Sequence, residues 1–154
     1  WLASVTVGVT ALTSTAFAST PAGWTTDLEK AFQQAKVEKK SVLVEFTGSD
    51  WCPPCIFMRQ NVFSKKEFID AASKKFILVE LDIPFGGVTK SETGEDVKDK
   101  NMKYVEQYGV NEFPHVILFN PDGKEFTRFF AVDYPKIDLY LKHLDEALEK
   151  KDLD

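Results

Sequence analysis

The only two cysteines of this 154-residue chain, Cys52 and Cys55, are separated by two prolines. A disulfide between them closes too short a loop to restrict the unfolded chain much, so pairing would serve chemistry or metal ligation rather than stability. Thiols at this spacing can exchange disulfides, because one sulfur attacks a substrate disulfide and the second resolves the mixed disulfide. A structural zinc site usually needs two further ligands, and the chain has no other cysteine to supply them.

The position of the pair, between a predicted strand and a predicted helix, favours exchange chemistry. Residues 41–47 are apolar and β-branched, which is typical of a central strand covered on both faces. Pro53 and Pro54 suit the first turn of a helix, where a missing N–H costs little. Cys52 would then stand at the helix N-terminus, where unpaired N–H groups and the helix dipole stabilise a thiolate. We predict that Cys52 is the nucleophile and that Cys55, one turn further along, is the less exposed resolving thiol.

Helical and strand patterns alternate along the chain after residue 24. Helices are predicted over residues 27–39, 53–73, 96–108 and 134–150, and strands over residues 41–47, 76–83, 114–119 and 124–131. A capping-box pattern from Ser64 to Glu67 predicts a break in the second helix. The alternation predicts a parallel sheet, to which a hairpin turning at Asp122 and Gly123 adds an antiparallel edge. The expected fold is therefore α/β, and a further short strand near Trp24 would extend the sheet.

Three segments together resemble the thioredoxin superfamily, and the resemblance covers roughly residues 24–150. They are the apolar strand followed by Trp-Cys-Pro-Pro-Cys, the Tyr-Gly-Val-Asn-Glu-Phe-Pro-His run at residues 108–115, and the Asp-Gly hairpin with a helix after it. Within the superfamily, the run around the cysteines is most similar to secreted bacterial thioredoxin-like proteins of the reductase-domain type. The resemblance implies a thioredoxin fold, with a central mixed sheet of four to five strands flanked by helices.

The resemblance also implies a substrate-binding surface around the cysteines. Pro114 would be the cis-proline that faces the disulfide, and the backbone of Phe113 could pair with an extended substrate segment. An ordinary trans proline that opens an edge strand is the alternative. With Trp51, Pro53 and His115, these two residues form the expected substrate-binding set.

Glu45 matches the position at which thioredoxins carry an acid beneath the resolving cysteine, with one residue more before the motif. A buried carboxylate there would have a raised pKa and could pass a proton to or from the second sulfur, so we predict a catalytic role for Glu45. The alternative is that Glu45 faces solvent from an edge position. Glu80 also interrupts an apolar strand, and the sequence does not rank it against Glu45.

His115 stands directly after the predicted cis-proline, where thioredoxins usually have threonine. An imidazole there could stabilise the Cys52 thiolate by its charge, or bind a metal together with both sulfurs. The third interpretation is a strand residue beside the site with no role of its own.

Residues 1–18 differ in character from the rest of the chain. The stretch after Trp1 carries no charge and ends in Ala16-Phe17-Ala18, a small-x-small pattern typical of signal peptidase sites, so we predict a secretory signal or an N-terminal membrane anchor. A buried N-terminal strand or helix is the alternative. Residues 19–23 would be a linker and residues 24–154 the thioredoxin-like domain. We therefore expect a periplasmic or secreted protein of the bacterial cell envelope.

The predicted function is that of a thiol–disulfide oxidoreductase acting on protein substrates, more in the direction of a reductase or isomerase than of an oxidase. Its partners would be protein thiols and disulfides and an upstream redox donor, with no cofactor and no resident metal, and we expect a monomer. The net charge of −5 and the absence of a basic cluster argue against nucleic acid. An alternative from another class is a periplasmic Cu(I) chaperone that binds the metal through Cys52, Cys55 and His115. Residues 84–100 form a longer link than a minimal thioredoxin has, and we interpret them as a solvated insertion.

Overall fold

The centre of the fold is strand β1 (Ser41–Thr47), all seven residues of which are buried. The structure is a computed structural model that describes residues 19–86 and 96–152. Strand β1 pairs in parallel with β2 (Phe76–Asp82) and antiparallel with β3 (His115–Phe119), which in turn pairs antiparallel with β4 (Glu125–Phe130). The resulting order, β2-β1-β3-β4, confirms the predicted mixed sheet with an antiparallel hairpin at its edge. The expectation that the strands before the hairpin pair in parallel holds for β1 and β2 only, because β3 runs antiparallel to β1. The strand expected near Trp24 is a single parallel bridge between Thr25 and Val79.

Five α-helices flank this sheet in the described part of the chain. They are α1 (Leu28–Glu38), α2 (Pro53–Met58), α3 (Lys66–Ala72), α4 (Val97–Tyr108) and α5 (Ile137–Lys150). The Asp27 and Asp96 carboxylates accept hydrogen bonds from the first-turn amides of α1 and α4, as helix-capping residues do. Gly109 ends α4 in the left-handed conformation, with φ of 63°, which a glycine adopts without steric penalty.

The alternation of side chains along β1 separates two hydrophobic cores, one on each face of the sheet. Leu43 packs in one core with residues of α2, α3 and α5, among them Met58, Phe68 and Tyr140. Val42, Val44 and Phe46 point the other way, into the core that residues of α1 and α4 complete. Because successive residues of a strand alternate between faces, Glu45 and Thr47 lie on the same face as Leu43.

The second predicted helix is broken near Ser64, as expected, although not by the predicted capping box. A π-helical turn (Arg59–Phe63) continues α2, and α3 begins only at Lys66, with no side-chain cap. The Ser64 hydroxyl donates its hydrogen bond backwards to the Arg59 carbonyl oxygen, at 2.7 Å. The break therefore arises because Ser64 closes the preceding π turn rather than opening the next helix.

The predicted leader at residues 1–18 lies outside the described residues, as does most of the 84–100 link. Among the residues that the structure does describe, no helix is long and apolar enough to cross a membrane.

Candidate active site

Cys52 and Cys55 form a disulfide at the start of α2, with 5.2 Å between their Cα atoms. Cys52 is the N-cap residue of the helix, and its Sγ accepts a hydrogen bond from the Cys55 amide at 3.3 Å. The Sγ of Cys55 accepts one from the Gly48 amide at 3.4 Å. Both residues are buried, with 3% of Cys52 and 1% of Cys55 exposed. Amides that donate to sulfur stabilise negative charge there, so both sulfurs are placed where a thiolate is favoured.

The loop from Gly48 to Trp51 holds the cysteine pair against the end of β2. The two prolines between the cysteines occupy the first helical positions, as predicted. Ser49 donates through its amide and its hydroxyl to the Asp82 carboxylate. The Trp51 indole N–H donates to the Ile83 carbonyl at 2.6 Å. Gly48 leaves room for this indole, because a Cβ on Gly48 would lie 2.3 Å from a ring carbon of Trp51.

The Phe113–Pro114 peptide bond is cis, which confirms the predicted conformation of Pro114 and excludes the trans alternative. Pro114 is buried at the start of β3, and its carbonyl accepts a hydrogen bond from the Ala131 amide. The Phe113 ring packs edge-on against Trp51, with 5.8 Å between ring centroids. Among the described residues, neither the N–H nor the C=O of Phe113 has a hydrogen-bond partner. This backbone is free to pair with another chain.

Glu45 is buried in the central strand, so the alternative of an exposed edge position is wrong. Only 2% of the residue is exposed, and its Oε1 has no hydrogen-bond partner among residues 19–86 and 96–152. It points to the face of the sheet that α2 covers, and α2 carries Cys55. Burial raises the pKa of the Glu45 carboxyl well above its ordinary value, and the Glu80 carboxylate raises it further. Arg59 and the Thr47 hydroxyl lower that pKa by smaller amounts.

The sequence did not rank Glu80 against Glu45. Among the described residues, Glu80 forms an ion pair and Glu45 does not. The Arg59 guanidinium forms an ion pair with one of its oxygens, and the Thr20 hydroxyl donates to the other at 3.1 Å. Burial raises the pKa of Glu80, and the charge of Arg59 opposes that rise. The structure thus separates the two acids by their partners.

His115 lies on the opposite face of the sheet from Glu45. It is the register partner of Phe46, and directly opposed residues of an antiparallel pair share a face. Its Nδ1 is 3.5 Å from a Glu112 carboxylate oxygen, and in the part of the chain that the structure describes neither ring nitrogen has a hydrogen-bond partner. Burial lowers the pKa of His115, against the Glu112 charge, which raises it. This placement favours the interpretation of a strand residue with no part in the exchange.

A metal site gains no support from the arrangement of ligands. In residues 19–86 and 96–152, no group of three or more His, Cys, Asp or Glu side chains is placed to hold a metal ion.

Two features of the site carried no signal in the sequence. One is Arg59, which reaches Glu80 across 21 positions of the chain. The other is Phe85, whose ring stacks on Trp51 with 4.8 Å between centroids. Both contacts join segments distant in sequence, and no local pattern indicates them.

The strand order, with a disulfide-bonded pair of cysteines capping the helix after the central strand, defines a protein of the thioredoxin fold. The chain belongs to the thioredoxin-like domain family, whose model matches residues 28–147. This confirms the resemblance found in the sequence.

Individual relatives point to the same family. The chain is 32% identical over 99 residues to the disulfide bond reductase DsbH of Chlamydia pneumoniae, an alignment that covers 64% of this chain and 57% of that protein. It is 30% identical over 105 residues to the thioredoxin-related protein DsbJ of Chlamydia pneumoniae, covering 68% of this chain and 29% of DsbJ. The chain therefore spans less than two thirds of the length of these relatives. A solved structure of a DsbH oxidoreductase superposes with a TM-score of 0.71 at 26% identity, covering 93% of this chain and 95% of that one.

Proposed function

We propose that the protein is a thiol–disulfide oxidoreductase that reduces or isomerises disulfides of protein substrates. The observation that carries this proposal is the Cys52–Cys55 disulfide at the start of α2, with a backbone amide donating to each sulfur. The kinship with a disulfide bond reductase supports the reductive direction.

The exchange transfers two electrons from the Cys52–Cys55 dithiol to a substrate disulfide. The Cys52 thiolate attacks one substrate sulfur, which forms a mixed disulfide and releases the other substrate sulfur as a thiolate. The Cys55 thiolate then attacks the Cys52 sulfur, which releases the second substrate thiolate and leaves the disulfide seen in the structure. An upstream dithiol donor returns two electrons to the pair and completes the cycle.

Glu45 serves this cycle as the group that accepts the proton of the Cys55 thiol. The unpartnered Oε1 and the raised pKa support that role, because the rise brings the pKa of the carboxyl closer to that of a thiol. The backbone of Phe113 and the rings of Trp51 and Phe113 would hold an extended substrate segment beside the disulfide. Pro53, exposed at the start of α2 next to Cys52, would extend the same surface.

The proposal also states where the protein works and in which direction it exchanges disulfides. The leader-like residues 1–18 support a protein of the bacterial cell envelope, held there by secretion or by an N-terminal anchor. We expect a monomer with a reduction potential nearer the reducing end of the range of about −270 to −120 mV found in thioredoxin-fold proteins.

Trapping the mixed disulfide tests the mechanism. Cys55→Ser should accumulate a covalent complex with a disulfide-containing peptide, because the resolving thiol is missing, and Cys52→Ser should form none. The wild-type protein should reduce insulin in the presence of a dithiol donor. Failure of Cys55→Ser to trap any peptide, together with no insulin reduction, would overturn the proposal. A potential close to −120 mV would reverse the direction to oxidation.

A further inference from the structure

An exposed phenylalanine near the cysteine pair, Phe85, is held in place by contacts to both its ring and its backbone. The residue is 66% exposed, yet its ring stacks on Trp51 at an interplanar angle of 23°. The Lys98 ammonium lies over the same ring, 4.8 Å from its centroid. A single exposed apolar side chain is ordinary on a protein surface. Phe85 differs because its contacts fix it next to the disulfide.

The backbone of Phe85 is anchored as firmly as its ring. The Asp50 carboxylate, two residues before Cys52, accepts hydrogen bonds from the amides of Phe85 and Gly86. Burial opposes the charge of Asp50, but these backbone donors outweigh it and lower the pKa of the carboxyl. These hydrogen bonds thus hold residues 85–86, which follow β2, against the loop that leads into Cys52.

The rings of Phe85, Trp51 and Phe113 form a continuous aromatic row. Centroid distances of 4.8 Å and 5.8 Å separate successive members. One end of the row is the residue whose backbone is free to pair with a substrate, and the other end is the most exposed ring. The two centroid distances limit the row to at most about three residues of an extended chain.

We propose that Phe85 is a specificity-determining residue, which selects protein disulfides that carry an aromatic or large apolar side chain within about three residues of the attacked cysteine. The inference rests on the proposed function, since it concerns the substrates of the same exchange. A substrate strand paired with Phe113 would lay such a side chain along Trp51 and against the exposed edge of Phe85. Burial of apolar surface there, with ring-to-ring contact, would tighten the encounter before sulfur attack.

Two disulfide peptides and three variants test the assignment. The peptides share one extended sequence, with either phenylalanine or glycine two residues from the cysteine, and kcat/KM for their reduction is measured alongside that for a small-molecule disulfide. The variants are Phe85→Ala, Phe85→Leu and, as a matched control, Phe57→Ala, which removes a 45% exposed ring from α2 that is outside the row. Thermal unfolding confirms that each variant is folded.

We expect Phe85→Ala to lower kcat/KM for the phenylalanine peptide about fivefold to tenfold, as the loss of one aromatic contact predicts. In Phe85→Ala the glycine peptide and the small disulfide should lose clearly less than the phenylalanine peptide, Phe85→Leu should lose part of the preference, and Phe57→Ala should lose none. Equal effects of Phe85→Ala on both peptides, or an equal loss in Phe57→Ala, would overturn the specificity role. If the wild-type protein reduces neither peptide nor the small disulfide, the proposed function fails instead.

Discussion

Glu45 and Glu80 lie directly opposite each other on neighbouring parallel strands, yet within the described part of the chain Glu80 alone of the two forms an ion pair. Glu80 is joined to Arg59 and to the Thr20 hydroxyl, whereas Glu45 keeps an oxygen with no hydrogen-bond partner. Both side chains point to the face that α2 covers. Burial and the Glu80 charge raise the pKa of Glu45, so this carboxyl binds a proton at higher pH than an ordinary one, whereas the Arg59 charge opposes the same rise at Glu80.

The first prediction concerns the pH dependence of stability. The folded state holds the Glu45 proton at pH values where the unfolded chain has lost it, because the pKa is raised on folding. The free energy of unfolding therefore falls as pH rises above the ordinary value of 4.5, by about 1.4 kcal/mol per pH unit for this one group, until the folded pKa is passed. Glu45→Gln should remove this slope, which denaturant unfolding between pH 4 and 8 measures.

Glu106→Gln is the matched control, because Glu106 is exposed on α4. It should keep the wild-type slope. A Glu45→Gln protein that loses stability with pH as steeply as the wild type would mean that Glu45 ionises in the folded state as it does in the unfolded chain.

The second prediction concerns the exchange itself. Glu45→Gln cannot accept the proton of Cys55, so resolution of the mixed disulfide should slow by about a hundredfold at neutral pH. Attack by Cys52 should be unaffected, and quenched-flow samples should show the mixed disulfide accumulating. In Glu80→Gln the charge that raises the pKa of Glu45 is gone, so the pH profile of resolution should move to lower pH. Unchanged rates and an unchanged pH profile in Glu45→Gln would exclude proton transfer through this carboxyl.

The sequence predicted a buried acid at Glu45 with a proton-transfer role, but it did not rank Glu80 against it. Burial followed from the apolar residues on both sides of Glu45, a local pattern. The pairing of Glu80 with Arg59 did not follow from a local pattern. Arg59 lies 21 positions away and reaches Glu80 only through the packing of a π turn over β2. The π turn covers only Arg59–Phe63, which is too short a stretch for a hydrophobic periodicity of its own to be recognised.

The sequence also did not show on which face of the sheet the His115 side chain lies. Every residue of β3 is buried, so the strand shows no polar–apolar alternation from which its two faces could be told apart. Only the register with β1 shows that Val116 lies opposite Glu45 and that His115 lies opposite Phe46. The cis-proline and the cysteine pair, in contrast, belong to short contiguous motifs that the sequence displays in full.

The third prediction follows from the face of the sheet on which the His115 side chain lies. Because the imidazole lies on the far side of the sheet from Glu45, His115→Thr should leave the alkylation profile of reduced Cys52 against pH unchanged, and also the potential of the cysteine pair. Reduced protein should bind Cu(I) equally with or without the imidazole. A shifted alkylation profile or a lost copper affinity in His115→Thr would restore a role for this residue beside the sulfurs.

The fourth prediction concerns the Arg59–Glu80 ion pair. Arg59→Gln leaves a buried carboxylate without its cation and should lower the free energy of unfolding by about 3 kcal/mol at neutral pH. The double variant Arg59→Gln with Glu80→Gln should regain most of that loss, because no uncompensated charge remains. Denaturant unfolding of the two single variants and the double variant completes a cycle, and additive effects would show that the two side chains are not coupled.

The last prediction separates crowding at the active-site loop from backbone strain. In Gly48→Ala the new Cβ would lie 2.3 Å from the Trp51 ring, so the indole must move and give up its hydrogen bond to Ile83. We expect a loss of about 1 to 3 kcal/mol in stability and slower reduction of peptide disulfides.

Gly109→Ala is the control, because a Cβ there meets nothing within 4 Å and only the left-handed φ of 63° opposes it. That variant should lose about 1 kcal/mol and keep full activity. Equal activity in both variants would show that the position of Trp51 has no influence on exchange.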